Sequence, residues 1–260
     1  MKNLRTYGAA PYFIAVLHGG PGAAGELAPV AKELASVGGV LEPLQTADSI
    51  DGQIEELRGS LGRAADSPVS LIGFSWGAML AFIFASRFPA YVKKLILLSG
   101  GAFEEKYAES IMTTRLGRLT EGERIELTTL IDILGEPAAR DKDSALARLG
   151  RLMSKADAYH PLPGGEEFVD VRYDIYQSVW REAEELRRSG RLLGLGREIR
   201  CPVVAIHGDH DPHPADGVKA PLSRVLKDFR FILLERCGHR PWLEQEARES
   251  FYKILKSELI

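Results

Sequence analysis

Ser75 stands in Gly73-Phe74-Ser75-Trp76-Gly77, a G-x-S-x-G sequence. An apolar run, Val69 to Ile72, precedes it and a helix-compatible run, Ala78 to Ser86, follows. Strand, sharp turn and helix in succession expose a serine hydroxyl as a nucleophile, and glycines two residues to either side let the turn tighten. Serine is a weak nucleophile until a base takes its proton, an acid orients that base, and backbone donors meet the charge that develops on the substrate oxygen. Two downstream stretches carry the residue types required: Ile206-His207-Gly208-Asp209-His210-Asp211-Pro212 and Arg236-Cys237-Gly238-His239-Arg240-Pro241. His239 is the expected general base. Asp211, three residues past Gly208, is expected to turn back toward the sheet rim and orient it, while Asp209 shapes the turn. The chain order Ser, Asp, His is one of those in which acyl-transfer sites are assembled. Two N–H groups are expected to hold the oxyanion: that of Trp76, directly after the nucleophile, and that of Gly20 in His18-Gly19-Gly20-Pro21-Gly22, where Pro21 has none to offer.

Other polar residues receive plainer readings. His18, ahead of the oxyanion glycines, is expected to pack and hydrogen-bond rather than react. His207, Asp209, His210, Asp211 and His213 include metal-ligand types, but their spacing matches no metal template, so neither metal nor cofactor is expected. Cys201 and Cys237 fall at opposite ends of neighbouring strands, too far apart for a disulfide, and are expected to be reduced.

The elements that must position these residues follow from the hydrophobic pattern. Tyr12 to Leu17 is a continuous apolar run, as a parallel strand buried on both faces requires. Glu26 to Ser36 has helical spacing; Val40 to Leu44 reads as a weak strand broken by Pro43; Ile50 to Leu61 is a helix; Val92 to Leu98 is a strand. From Ala102 to about Gly196 helices follow without a convincing strand. Thr120 and Glu123 form a capping box opening a helix through Leu134. Ser144 to Met153 and Asp170 to Arg188 are further helices. Alternation resumes with the strand Val203 to His207, a helix near Pro221 to Leu226, the strand Phe229 to Leu234 and a last helix, Leu243 to Ile260. Strands alternating with helices imply a parallel sheet with right-handed crossovers, its ligand site at the strand C-termini.

With H-G-G-P-G, G-x-S-W-G, G-D-H-D and C-G-H at these spacings, the chain resembles the α/β-hydrolase superfamily over nearly its whole length, and the first two motifs are closest to its proline iminopeptidase-like branch. The resemblance implies an α/β-hydrolase fold: a mostly parallel sheet flanked by helices, with a core of residues 1–101 and 197–260. A helical cap, residues 102–196, would follow the strand corresponding to the family's sixth. Two departures stand out. Only about a dozen residues precede the first core strand, so the family's N-terminal edge strands must be missing or reduced. Where iminopeptidases carry D-Q-R-G after the second core strand, this chain has Leu41-Glu42-Pro43-Leu44-Gln45.

The resulting expectation is a serine hydrolase that cleaves a small ester or amide through an acyl-enzyme. The alternatives are an aminopeptidase of the proline iminopeptidase type and a binding protein on the same fold without catalysis. In the long cap helix, Val171, Ile175, Val179 and Leu186 form a stripe expected to pack the cap, and Tyr173, Tyr176 and Trp180 form one expected to line an apolar substrate pocket. Glu104, Glu105, Glu166 and Glu167 are cap carboxylates of the type that would bind a substrate amine. A net charge of −3 with both signs interspersed excludes a polyanion-binding surface, so no nucleic acid partner is expected. No apolar stretch approaches the ~20 residues of a membrane span. Lys2 and Arg5 ahead of Ala9 to Leu17 imitate a signal peptide, but no small-residue cleavage site follows, and the expected location is the cytoplasm.

Overall fold

The computed structural model describes residues 3–164 and 171–259. Their strands are β1 (Leu4–Tyr7), β2 (Tyr12–Leu17), β3 (Gly39–Pro43), β4 (Val69–Phe74), β5 (Val92–Leu98), β6 (Val203–Gly208) and β7 (Phe229–Leu234). The helices are α1 (Ala28–Leu34), α2 (Ile50–Ala64), α3 (Trp76–Arg87), α4 (Ile111–Arg118), α5 (Glu121–Gly135), α6 (Lys142–Asp157), α7 (Tyr173–Arg188), α8 (Arg191–Gly194), α9 (Asp216–Val225) and α10 (Arg248–Ser257). The strands form one sheet in the order β1-β3-β2-β4-β5-β6-β7, antiparallel only where β1 meets β3. The fold is that of the α/β hydrolases. Among the described residues the N-terminal edge of the sheet is a single short strand, the four-residue β1.

β3 is firmer than the sequence suggests, because all five of its residues are buried. Pro43 is its last residue, paired with Leu4 of β1, so its missing N–H ends the strand instead of interrupting it. Glu42, wholly buried, accepts the Tyr7 hydroxyl at 2.6 Å across the same pair of strands.

β4 is central and buried throughout, and it feeds α3, whose residues Trp76 to Ser86 are all buried. A helix apolar on every side belongs inside a molecule. One face of the sheet packs α2, α3 and α9 and the other packs α1 and α10. All described helices from α4 to α7 lie between β5 and β6. α5 and α6 share a small core of their own, with Leu127, Leu130 and Leu134 against Leu146, Leu149 and Leu152. The capping box at Thr120 is present, with Thr120 Oγ1 accepting the Glu123 N–H and Glu123 returning to the Thr120 N–H.

α7 behaves differently from the expected cap-packing helix. Ile175, Val179 and Ala183 face the main core beside α2 and α3 rather than the α5–α6 core, so this helix fastens the cap region to the body. A second fastening lies just before it. Val171 bridges to Ala23 and the Arg172 N–H donates to Gly22 O at 3.1 Å. A Cβ on Gly22 would stand 2.6 Å from Arg172 O, so the close crossing needs glycine there. The last helix begins later than the pattern implied, at Arg248, because the preceding residues form a turn around buried Glu244.

Candidate active site

Four loops at the C-terminal ends of β2, β4, β6 and β7 meet at one point of the sheet rim. After β4 the chain reverses at Ser75, with φ +52° and ψ −113°, and enters α3 at once. A non-glycine residue there is strained by about 1–3 kcal/mol, a cost met by the buried strand and helix on either side. The flanking glycines are sterically required: a Cβ on Gly73 would run into the Gly77 carbonyl, and one on Gly77 into Leu17 O. Trp76 opens α3, so its N–H is one of those with no intrahelical acceptor. Its indole is buried and donates to Gln53 Oε1 at 3.0 Å. Gly20, with φ +40°, lies beside the same cavity.

His239 Nε2 is 3.1 Å from Ser75 Oγ, and His239 Nδ1 is 2.6 Å from Asp211 Oδ2. Asp209 turns elsewhere and accepts the Cys237 N–H at 3.0 Å. The His239 ring is flanked by Phe74, centroids 4.9 Å apart, and by His213, centroids 4.6 Å apart. Asp211 is buried. Burial alone would raise its pKa, but the imidazoles of His239, His213 and His207 outweigh that and hold the carboxyl well below the usual carboxylate range. Asp211 is therefore an anion that accepts from His239 Nδ1.

The loop that carries His239 is held from two sides. Its N–H donates to Asp157 O at 2.9 Å. Glu244 accepts the N–H groups of Gly238, Tyr159 and His160 at 3.0, 2.9 and 2.7 Å, joining the loop to the end of the cap. Asp157 is itself gripped in a two-pronged pair by Arg115, both contacts at 2.7 Å. Residue-type reasoning misses His213, Arg115, Asp157 and Glu244 as site residues. Only His213 carries a local signal, two positions past Asp211; the others are brought in by the cap's path.

Above Ser75 lies a cavity of about 810 Å³, roofed by α6 and by part of α7. Tyr176 and Trp180 line it, stacked at 6.2 Å with planes 7° apart. Val171, expected to pack the cap, lines it too. Tyr173 does not belong to the pocket stripe. It is the first residue of α7, and its ring turns into the α5–α6 core, where its hydroxyl donates to Leu134 O at 2.6 Å and Lys142 Nζ sits 4.9 Å from the ring centroid.

Of the four cap carboxylates, Glu104 and Glu105 are engaged away from the cavity. Glu104 pairs with Arg224 at 2.6 Å and Glu105 with Arg187 at 2.8 Å; Glu166 and Glu167 lie outside the described residues. Among the described residues, the carboxylates that do line the cavity are also paired: Glu26 with Arg240, Glu123 with Lys155, Asp157 with Arg115, and Glu244 with its three amides. His18 is buried and its ring connects neighbouring backbone, accepting the Gln45 N–H at Nε2 and meeting Gly19 O at Nδ1. Asp211, His213 and His239 bring potential metal-ligand atoms within 4.8 Å of one another. Those atoms already satisfy each other as N–H···O contacts of 2.6 and 2.8 Å. Both cysteines are free thiols. Among the described residues no helix is long and apolar enough to cross a membrane.

A family model described as the alpha/beta hydrolase family matches residues 10–250. Among curated proteins, the chain is 23% identical over 204 residues to a pimeloyl-[acyl-carrier protein] methyl ester esterase of Neisseria meningitidis, a match covering 77% of this chain and 61% of that protein. It is 25% identical over 288 residues to a proline iminopeptidase of Lactobacillus delbrueckii subsp. bulgaricus, covering 94% of this chain and 88% of that one. Among solved structures, VinJ superposes with a TM-score of 0.66 at 18% identity, covering 99% of this chain and 95% of its own.

Proposed function

The chain belongs to the alpha/beta hydrolase family, and from that footing we propose that it is a serine hydrolase acting on a small ester through a Ser75-His239-Asp211 triad. The observation that carries this reading is the unbroken line from Asp211 Oδ2 to His239 Nδ1, 2.6 Å, and from His239 Nε2 to Ser75 Oγ, 3.1 Å, at the base of an 810 Å³ cavity. His239 Nε2 takes the Ser75 proton as Oγ bonds to the ester carbonyl carbon. The N–H groups of Gly20 and Trp76 meet the oxyanion, each such donor contributing about 2.7–4 kcal/mol. His239 then returns the proton to the leaving alcohol, and water repeats the sequence to free the acid. Asp211 stays ionised and stabilises the imidazolium that forms.

An ester is favoured over an N-terminal proline peptide because each of the described cavity carboxylates is already paired, so that none of the described ones is free to receive a substrate ammonium. The D-Q-R-G departure at Leu41 to Gln45 points the same way. Labelling with a fluorophosphonate probe tests the central claim: one adduct on Ser75 is expected, and an unlabelled native protein would favour a binding role for the fold. A screen of p-nitrophenyl esters beside proline arylamides separates esterase from aminopeptidase, with turnover expected on the esters.

A further inference from the structure

Two stacked imidazoles share one carboxylate at the cavity wall. Asp211 gives Oδ2 to His239 Nδ1 at 2.6 Å and Oδ1 to His213 Nδ1 at 2.8 Å, and the His213 backbone N–H also reaches Oδ1 at 2.9 Å. The two rings lie 28° from parallel. An ionised carboxylate only accepts, so His213 Nδ1 carries a proton. Burial drives the proton affinity of His213 down and outweighs the pull of Asp211, which keeps the ring neutral and leaves Nε2 as a bare acceptor. His207 Nε2 donates to His213 O at 2.8 Å and fixes the segment that carries the ring. Among the described residues nothing hydrogen-bonds His213 Nε2, and His213 lines the cavity.

Stacked rings whose Nδ1 atoms turn to the same carboxylate both carry Nε2 on the edge away from it. His239 Nε2 faces Ser75 Oγ, and in acyl transfer this nitrogen hands its proton to the departing oxygen, so the leaving alcohol occupies the space in front of it. His213 lines the same cavity as Ser75 and His239. We propose that His213 is a specificity-determining residue whose Nε2 accepts a hydrogen bond from the leaving group, so that the preferred substrates are esters of alcohols bearing a second hydroxyl on the neighbouring carbon. The inference rests on the serine hydrolase reading. The bond between the acyl carbon and the alcohol oxygen breaks as Ser75 Oγ bonds to that carbon. The Ser75 proton reaches the departing oxygen through His239, and the second hydroxyl keeps its own proton, shared with His213. An alcohol of equal length without that hydroxyl leaves the His213 acceptor unpaired, the situation in which a site discriminates between near-isosteres.

The test compares kcat/KM of the full chain for 2-hydroxyethyl butyrate and propyl butyrate, two esters that differ by a hydroxyl in place of a methyl. Wild type is expected to favour the hydroxyethyl ester by about tenfold, the size of one net hydrogen bond. His213→Asn keeps a side-chain N–H near the position of Nδ1 but has no acceptor at Nε2, and its ratio should fall to about one. The ratio is read on one preparation, so a general loss of activity cancels from it. A wild-type ratio near one, or a ratio kept in the Asn variant, overturns the inference, and the wild-type ratio decides alone if the variant does not fold. Fluorophosphonate labelling of Ser75 together with a ratio of one removes this inference only. No labelling and no turnover of either ester removes the hydrolase reading and this inference with it.

Discussion

The backbone N–H of His239 donates to the carbonyl oxygen of Asp157, 2.9 Å away, so the loop that ends β7 hangs from the last residue of cap helix α6. Asp157 is in turn fixed by Arg115 of α4, a pair with side chains only 7% and 16% exposed. Removing one partner of such a pair leaves a buried charge and typically costs about 3–5 kcal/mol. Arg115→Ala should therefore lower stability by about that amount in urea titration. It should also lower kcat more than it raises KM, because the residue displaced with Asp157 is His239, the proposed base. Unchanged kcat in the folded fraction would mean that the cap does not position His239.

The proposed triad would act as a unit, so its members should not contribute additively. Ser75→Ala is expected to cost about 10⁵–10⁶ in kcat and Asp211→Asn about 10⁴, with the triple variant Ser75→Ala/Asp211→Asn/His239→Ala no slower than Ser75→Ala alone. Asp211→Asn carries a second penalty here. The carboxylate accepts from His239, from the His213 ring and from the His213 N–H, whereas an amide turns an N–H toward one of those donors. A melting temperature lowered in the Asn variant, and unchanged in Ser75→Ala, would separate this buried clash from the loss of chemistry.

What was legible in the sequence follows from how local each signal is. The boundaries of Tyr12–Leu17, Val92–Leu98 and Phe229–Leu234 could be read directly: the first is an unbroken apolar run, and the other two are apolar except for Lys93 and Lys94 near the start of one and Arg230 in the other. The fold follows from their alternation with helices. Glu244 and Asp157 were not legible, because Glu244 reaches Tyr159 and His160, and Asp157 reaches His239, across dozens of residues that only the path of the chain between β5 and β6 brings near. Tyr173 was misplaced for a related reason. Its spacing from Tyr176 and Trp180 is helical, but it sits at the start of α7, where the neighbours are α5 and α6 and not the cavity. The Val171-to-Leu186 stripe was read correctly as apolar, yet spacing alone could not say that Ile175 and Val179 would meet the main core instead of the cap.

That division along α7 has measurable consequences. Ile175 is buried against the main core, and Ile175→Ala should cost about 2–5 kcal/mol of stability with little change in KM. Trp180, half-buried and stacked on Tyr176 at the cavity wall, should behave the other way. Trp180→Ala is expected to raise KM for an aliphatic ester about tenfold while the melting temperature falls by only a few degrees. A large stability loss with KM unchanged would assign Trp180 to packing and leave the cavity without its aromatic wall.

The two thiols offer a test of the core that needs no substrate. Burial pushes the Cys201 thiol up to about 11, ahead of smaller backbone effects, and pushes Cys237 higher still, with the nearby carboxylates of Glu244, Asp211 and Asp209 adding to it. The thiolate is the reactive form, so at pH 8 only about one Cys201 in a thousand is ionised. Native protein treated with iodoacetamide at pH 8 should gain no adduct by intact mass on a timescale that gives two in guanidinium. Raising the pH favours the thiolate, so Cys201, half-buried, should react first as the pH approaches 11, and buried Cys237 should wait for unfolding. Fast modification of Cys237 in the native state would mean that the turn from Arg236 to His239 opens without global unfolding. Because that turn carries His239, such opening should appear at the same rate as loss of fluorophosphonate labelling at Ser75.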